Sequence, residues 1–177
     1  MTLRFSSIVP LLAALAGACS FSAEADLPEI EITQRGLGMP GVPKGTIPGD
    51  ISVSGSFTFS SANTAWAKNL NSEIYVRQVA VAATSGLANM DFIKSARMSM
   101  EDPAVSESAI EIASYDRSDE QPSGSVINIS MPDPIDITSL WAAKETVMRV
   151  QVTGCVPEQK WTVDVTMKLA GKITYQY

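Results

Sequence analysis

WTVDVTMKLAGKITYQY, residues 161–177, alternates without a break. Trp161, Val163, Val165, Met167, Leu169, Gly171, Ile173, Tyr175 and Tyr177 share one parity, and Thr162, Asp164, Thr166, Lys168, Lys172, Thr174 and Gln176 share the other. Period-two patterning marks a strand with one buried face. A two-residue hairpin at Ala170-Gly171 would pair Leu169 with Lys172 and turn the polar set onto the apolar face. The phase therefore predicts one long strand. Its length exceeds the usual range of about 3–10 residues, so a kink or bulge is expected at Gly171. A strand of this kind needs a second layer to cover its apolar side, and the rest of the chain supplies strands rather than helices.

Ile51, Val53, Gly55, Phe57 and Phe59 alternate with Ser52, Ser54, Ser56 and Thr58, a second half-buried strand. Glu29 to Thr33 reads as a first strand, Ala96 to Met100, Ile110 to Tyr115 and Val126 to Met131 as shorter ones, and Val147 to Thr153 as a strand with Met148, Val150 and Val152 inward. Ile74 to Thr84, rich in Val and Ala, reads as a central strand covered on both sides from Val79 onward. Gly36 to Asp50 holds five glycines and Pro40, Pro43 and Pro48, which predicts a long surface loop. Ser61 to Leu70 reads as a short helix or loop, and Asp116 to Gly124 as a polar turn. Asp136 or Thr138 is expected to cap a helical turn through Trp141 to Ala143. Gly154 to Lys160, with Pro157, reads as a hairpin loop. The expected fold is all-β: an antiparallel β-sandwich of about eight strands with one or two short helical turns.

The first residues have the parts of a secretory leader: Arg4, the apolar run Ile8 to Ala16, and small residues before Cys19. The run is too short to span a bilayer, which takes about 20 residues. Leu15-Ala16-Gly17-Ala18-Cys19 resembles the lipobox of bacterial lipoproteins. That resemblance implies a signal peptide at 1–18, a diacylglyceryl group and a fatty acid such as palmitate on Cys19, and a membrane anchor in the cell envelope. Ser20 after the cysteine implies the outer membrane. Ala16-Gly17-Ala18 and Ala23-Glu24-Ala25 also suit ordinary signal peptidase, and a cut after Ala25 would discard Cys19. The organisation expected is a leader at 1–18, the lipidated cysteine and a tether at 19–28, and one sandwich domain at 29–177. Cys19 and Cys155 are the only cysteines. With Cys19 acylated, Cys155 is a lone thiol, read as a buried or half-buried structural one. With Cys19 free, the two can pair.

Val76 to Thr84, Ser85-Gly86, Asp91-Phe92-Ile93 and Ser95 to Met100, followed by Asp136-Ile137-Thr138, resemble uncharacterised β-sandwich lipoproteins of bacteria. The resemblance covers most of Ile74 to Tyr177 and implies a fold without an activity. Lys172 to Tyr177 also looks like the aromatic-ending last strand of an outer-membrane barrel. The aromatics are too few for two girdles, however, and the strands too uneven.

The chain carries a net charge of −6, and loss of the leader removes Arg4 and no acid. No basic stripe is present, so nucleic acid is not an expected partner. There is no histidine, which excludes Ser-His-Asp and Cys-His nucleophilic sites and nearly every catalytic zinc site. No phosphate-binding loop is present. Paired carboxylates serve glycosidases, but sequence does not place two across a cleft. Two polar candidates stand out. Asp116, Asp119, Glu120, Asp133 and Asp136 are candidate Ca²⁺ ligands if loops at one end of the sandwich join, although their spacing is also that of solvated turns and helix caps. Trp66 and Trp141 are candidates for lining a glycan site, whereas Trp161 shares the core parity. The expected role is that of a lipid-anchored envelope protein, non-enzymatic, binding or structural, with an envelope protein or glycan as partner. A Ca²⁺-dependent ligand- or glycan-binding domain using the acidic loops is the alternative.

Overall fold

Eight strands and one helical turn make up the described residues, 22–45, 49–60, 72–117, 124–143 and 145–176, of this computed structural model. In chain order the strands are β1 (Ser22–Met39), β2 (Ile51–Phe59), β3 (Ser72–Ser85), β4 (Ile93–Glu101), β5 (Ile110–Asp116), β6 (Val126–Asp136), β7 (Thr146–Gly154) and β8 (Trp161–Gln176). The turn α1 (Thr138–Ala142) lies between β6 and β7. One sheet has the order β1-β8-β3-β6 and the other β2-β7-β4-β5, and every pairing is antiparallel. The chain changes sheet at every connection except the β4–β5 hairpin. This is an all-β sandwich with jelly-roll topology.

The core lies between the two inner faces and is built by the parities that the sequence shows. Trp161, Val163, Val165, Met167 and Leu169 of β8 face Met148, Val150 and Val152 of β7 and Met98 and Met100 of β4 across one continuous apolar cluster. Ser52, Ser54, Ser56 and Thr58 of β2 point outward. β3 is central in its sheet, but only one of its faces is buried. Val79 and Val81 are in the core, while Ala80 and Ala82 on the other face are half-exposed. Among the described residues no second layer covers that outer face, which small side chains line.

β8 is one strand, as its phase requires, and Gly171 is buried in line with Leu169 and Ile173. The expected irregularity sits in its neighbours. On β1, Leu27 pairs with Gly171 and Ile30 with Leu169, so Pro28 and Glu29 oppose Ala170 alone; likewise Arg35 and Gly36 oppose Asp164. On β3, Arg77 and Thr84 are the extra residues. A bulge adds one residue to one strand and bends it. Gly36 takes φ +63° at its bulge, a conformation glycine adopts without cost, and its amide donates to Asp164 Oδ1 at 2.8 Å.

Several further expectations change. β1 starts at Ser22, not Glu29, and so takes in most of the stretch read as tether; it also runs on to Met39, through the first glycines of the expected loop. Its two bulges break the alternation, leaving only the piece between them to read as a strand. Gly154 to Lys160 is not a hairpin loop, because β7 and β8 lie in different sheets. Cys155 is exposed, not buried or half-buried. Val150, Val152, Gly154 and Val156 are the buried positions, which leaves residue 155 on the outward parity.

The strands define two ends. At one, the connections β1–β2, β3–β4, β5–β6 and β7–β8 are laced together. Val42 N–H donates to Pro157 O at 3.0 Å, Met90 N–H to Gly124 O at 2.8 Å, Gln159 Nε2 to Gly86 O at 2.7 Å, and Lys94 pairs with Asp50. At the other lie the start of β1, the end of β8, the β4–β5 hairpin and α1. Here Ile137 N–H donates to Ile74 O at 2.9 Å, and buried Thr146 donates its hydroxyl to Leu140 O at 2.9 Å.

Candidate functional site

Of the five candidate calcium ligands, the three that lie among the described residues, Asp116, Asp133 and Asp136, do not come together. Asp116 ends β5 opposite Ser95, at the laced end. Asp133 and Asp136 lie toward the far end of β6, where Asp136 pairs with Tyr75. β6 is 11 residues long, and at about 3.3 Å per residue its two ends lie roughly 30 Å apart. Asp119 and Glu120 lie outside the described residues. Among the described residues no three of Cys, Asp and Glu gather in a metal-sized group. Asp136 is engaged in the fold: its Oδ1 accepts from Thr138 N–H at 2.8 Å and from the Thr138 hydroxyl at 2.6 Å. It thus satisfies the first amide of α1 from the residue before the N-cap, Ile137. Thr138 Oγ1 in turn accepts from Ile74 N–H at 2.9 Å.

The tryptophans divide differently. Trp141 is 7% exposed and packs on Phe59 with ring centroids 5.6 Å apart. It is a core residue, carried on α1 beside buried Leu140, and leaves little side chain exposed for a ligand among the described residues. Trp161 is core as its parity predicts, edge-on to Phe92 at 5.3 Å. Trp66 and Cys19 lie outside the described residues.

A different site emerges on the outer face of the β1-β8-β3-β6 sheet. The bulge at Pro28-Glu29 on β1 and the bulge at Arg77 on β3 flank the same stretch of β8, where the outward residue is the small Ala170. The two neighbours bow away from a strand that has nothing to fill the space, and a shallow hollow results. Ala170 is its floor and Tyr75, the cross-strand partner of Ala170, is one wall. Arg77 and Glu29 enter from the bulges. The next row toward the chain ends is Asp26, Lys172 and Glu73, paired across three strands.

The electrostatics of the hollow are mixed. Tyr75 donates its hydroxyl to Glu73 Oε2 at 2.6 Å. Its phenol is pushed up to about 12, first by that hydrogen bond, then by partial burial and by the carboxylates of Glu73, Asp136 and Glu24. Arg77 and Lys172 make no ion pair or hydrogen bond among the described residues. The hollow therefore offers two uncommitted cations, the carboxylate acceptors of Asp26 and Glu29, and one aromatic face. That set satisfies donors and acceptors together, as a hydroxyl-rich ligand demands.

Sequence reading does not find this hollow, because its residues come from three strands whose register is set by long-range pairing. One signal is present. In Ile74-Tyr75-Val76-Arg77-Gln78-Val79 the apolar spacing steps from two to three, which marks the bulge at Arg77.

No protein-family model and no curated protein matches the chain. Solved structures similar to it include the decameric capsid protein of BFDV, with 8% identity, a TM-score of 0.35 and coverage of 87% of this chain and 99% of that one. Cocksfoot mottle virus is similar over 98% of this chain and 94% of that one, with 8% identity and a TM-score of 0.36. A carbohydrate-binding module from the β-sandwich superfamily is similar over 84% of this chain and 56% of that one, with 12% identity and a TM-score of 0.32.

Proposed function

We propose that this chain is a non-enzymatic binding module of the bacterial outer envelope, held to the membrane by lipid on Cys19. The observation that carries the anchor is where β1 begins. A cut after Ala25 would discard Ser22 to Ala25, which pair with Gln176 to Ile173 on β8. A cut before Cys19 keeps the whole strand and leaves the cysteine as the first residue, where acylation takes place. β1 begins at Ser22, three residues after Cys19 in the sequence, which supports a cut before the cysteine over one after Ala25.

Intact mass of protein extracted from membranes tests this reading. A chain starting at Cys19 and carrying two or three acyl groups is expected. A chain starting at Asp26 overturns it.

Binding is assigned to the hollow around Tyr75, because Arg77 and Lys172 have no hydrogen-bond or ion-pair partner among the described residues and its charged groups are exposed. A hydroxyl-rich envelope glycan suits that chemistry. Titration with cell-wall and outer-membrane polysaccharides is expected to show binding that Tyr75→Ala and Arg77→Ala weaken at least about tenfold, the loss of about 1.4 kcal/mol that a few hydrogen bonds supply. Unchanged binding in both variants removes the hollow from the proposal.

A further inference from the structure

The anchor reading fixes more than attachment, because almost no chain is left between Cys19 and the folded strand. Ser22 is already paired with Gln176. Cys19 precedes it by three residues, and three residues of fully extended chain span no more than about 10 Å. Acyl chains on Cys19 bury in the bilayer and hold the cysteine itself at the headgroup level. The end of the sandwich that holds the start of β1 therefore stands against the membrane.

That end also carries the most exposed large apolar side chain among the described residues, Val105, at 56%. Val105 is at the tip of the β4–β5 hairpin, and the tip is a built turn. Val105 N–H donates to Asp102 O at 3.1 Å, Ala104 N–H to Asp102 Oδ1 at 2.8 Å, and Asp102 N–H to Ser108 Oγ at 2.8 Å. Glu107 closes the turn at φ +61°. One oxygen of the Asp102 carboxylate is engaged by the Ala104 amide and Glu101 is held by Arg149, so the exposed tip is Pro103, Ala104, Val105, Ser106 and Glu107, with Glu107 its one exposed charge. The other exposed large apolar side chain, Val126, lies on the face of a sheet at the laced end.

We infer that the β4–β5 hairpin, with Val105 at its tip, rests on the bilayer that holds the Cys19 lipid, and that the four laced connections face away from it. The inference depends on the anchor proposed above.

The full-length acylated protein, reconstituted into vesicles of phosphatidylethanolamine and phosphatidylcholine carrying headgroup-level spin-label quenchers, tests it. One sample carries a fluorophore on native Cys155, at the laced end. Two others carry Cys155→Ser with Val105→Cys or Ser106→Cys and the same fluorophore. Loss of most of the fluorescence at 105 and 106, with little loss at 155, is the expected result. Equal quenching at the two ends of a protein whose mass shows acylated Cys19 overturns the orientation and leaves the anchor standing. An unacylated mass, with no vesicle association, overturns both.

Discussion

Gly154 lies so close beneath the Phe92 carbonyl that no side chain fits between them, and the next amide, Cys155 N–H, donates to the same oxygen at 3.0 Å. The β3–β4 and β7–β8 connections are pinned together by this approach. Gly154→Ala drives a methyl group into backbone that is held on both sides, and a loss of about 1–3 kcal/mol is expected, as for overpacked cores. At Gly171 an added Cβ meets first the end of the Leu27 side chain at 2.8 Å, then Glu73 O at 3.2 Å. Leu27 can swing aside, so Gly171→Ala is expected to cost about 1 kcal/mol or less. Urea midpoints of the two variants give the comparison. Equal losses would show that the Phe92 contact is not the cause.

The hydrogen bond from Tyr75 to Glu73 predicts an alkaline signature. The phenol is raised from 10.0 to about 12 in the folded chain, and the unfolded chain has the ordinary value. Between those pH values the unfolded state gives up its proton while the folded state keeps it. The stabilisation is thus full below pH 10 and disappears as pH rises toward 12. Phenolate absorbance, read as the difference between the native chain and Tyr75→Phe, is expected to titrate near 12 and to move back toward 10 in Glu73→Gln. A Tyr75 that titrates like a free tyrosine would remove the bond from the hollow.

Cys155 is exposed, so it should react with a thiol reagent in the native state without unfolding. Cys155→Ser is expected to change stability by no more than about 0.5 kcal/mol, as for other surface positions. The count of reactive thiols is also informative about Cys19. An acylated protein gives one thiol, an unprocessed Cys19 gives two, and a Cys19–Cys155 disulfide gives none until it is reduced.

Calcium offers a direct check on the acidic loops. Asp116 and Asp136 lie at opposite ends of the sandwich, and Asp136 is occupied with Thr138. The melting temperature is expected to be the same in calcium and in chelator. A rise of several degrees at millimolar calcium, which linkage requires if the folded chain binds the ion, would restore the Ca²⁺-dependent alternative. Asp136→Ala should still destabilise, by about 1 kcal/mol, through loss of the bond to Thr138 N–H.

The strands that obey strict alternation are legible from sequence, and those that slip are not. β8 and β2 show an unbroken period and appear as read. β1 slips twice, at Pro28-Glu29 and at Arg35-Gly36, so a period-two reading recovers only the part between the slips. The outward position of Cys155 follows from the parity of Val150 and Val152 once Gly154 is counted as part of the strand. Apart from the β4–β5 hairpin, the order of strands in each sheet is a matter of pairing between segments far apart in the chain, at the extreme between Ser22 and Gln176, and local pattern carries no record of it. The hollow depends on that pairing, and so does the separation of Asp116 from Asp136.

The four bulges beside β8 make it the ruler of its sheet. Arg77 and Thr84 are surplus residues on β3, so deleting either closes a gap and leaves every neighbouring side chain on its own face. Deleting one residue from the middle of β8, at Thr166 for instance, would turn half of its apolar row outward against two partners at once. The sheet has slack for gain or loss of a residue in its flanking strands and none in the strand between them.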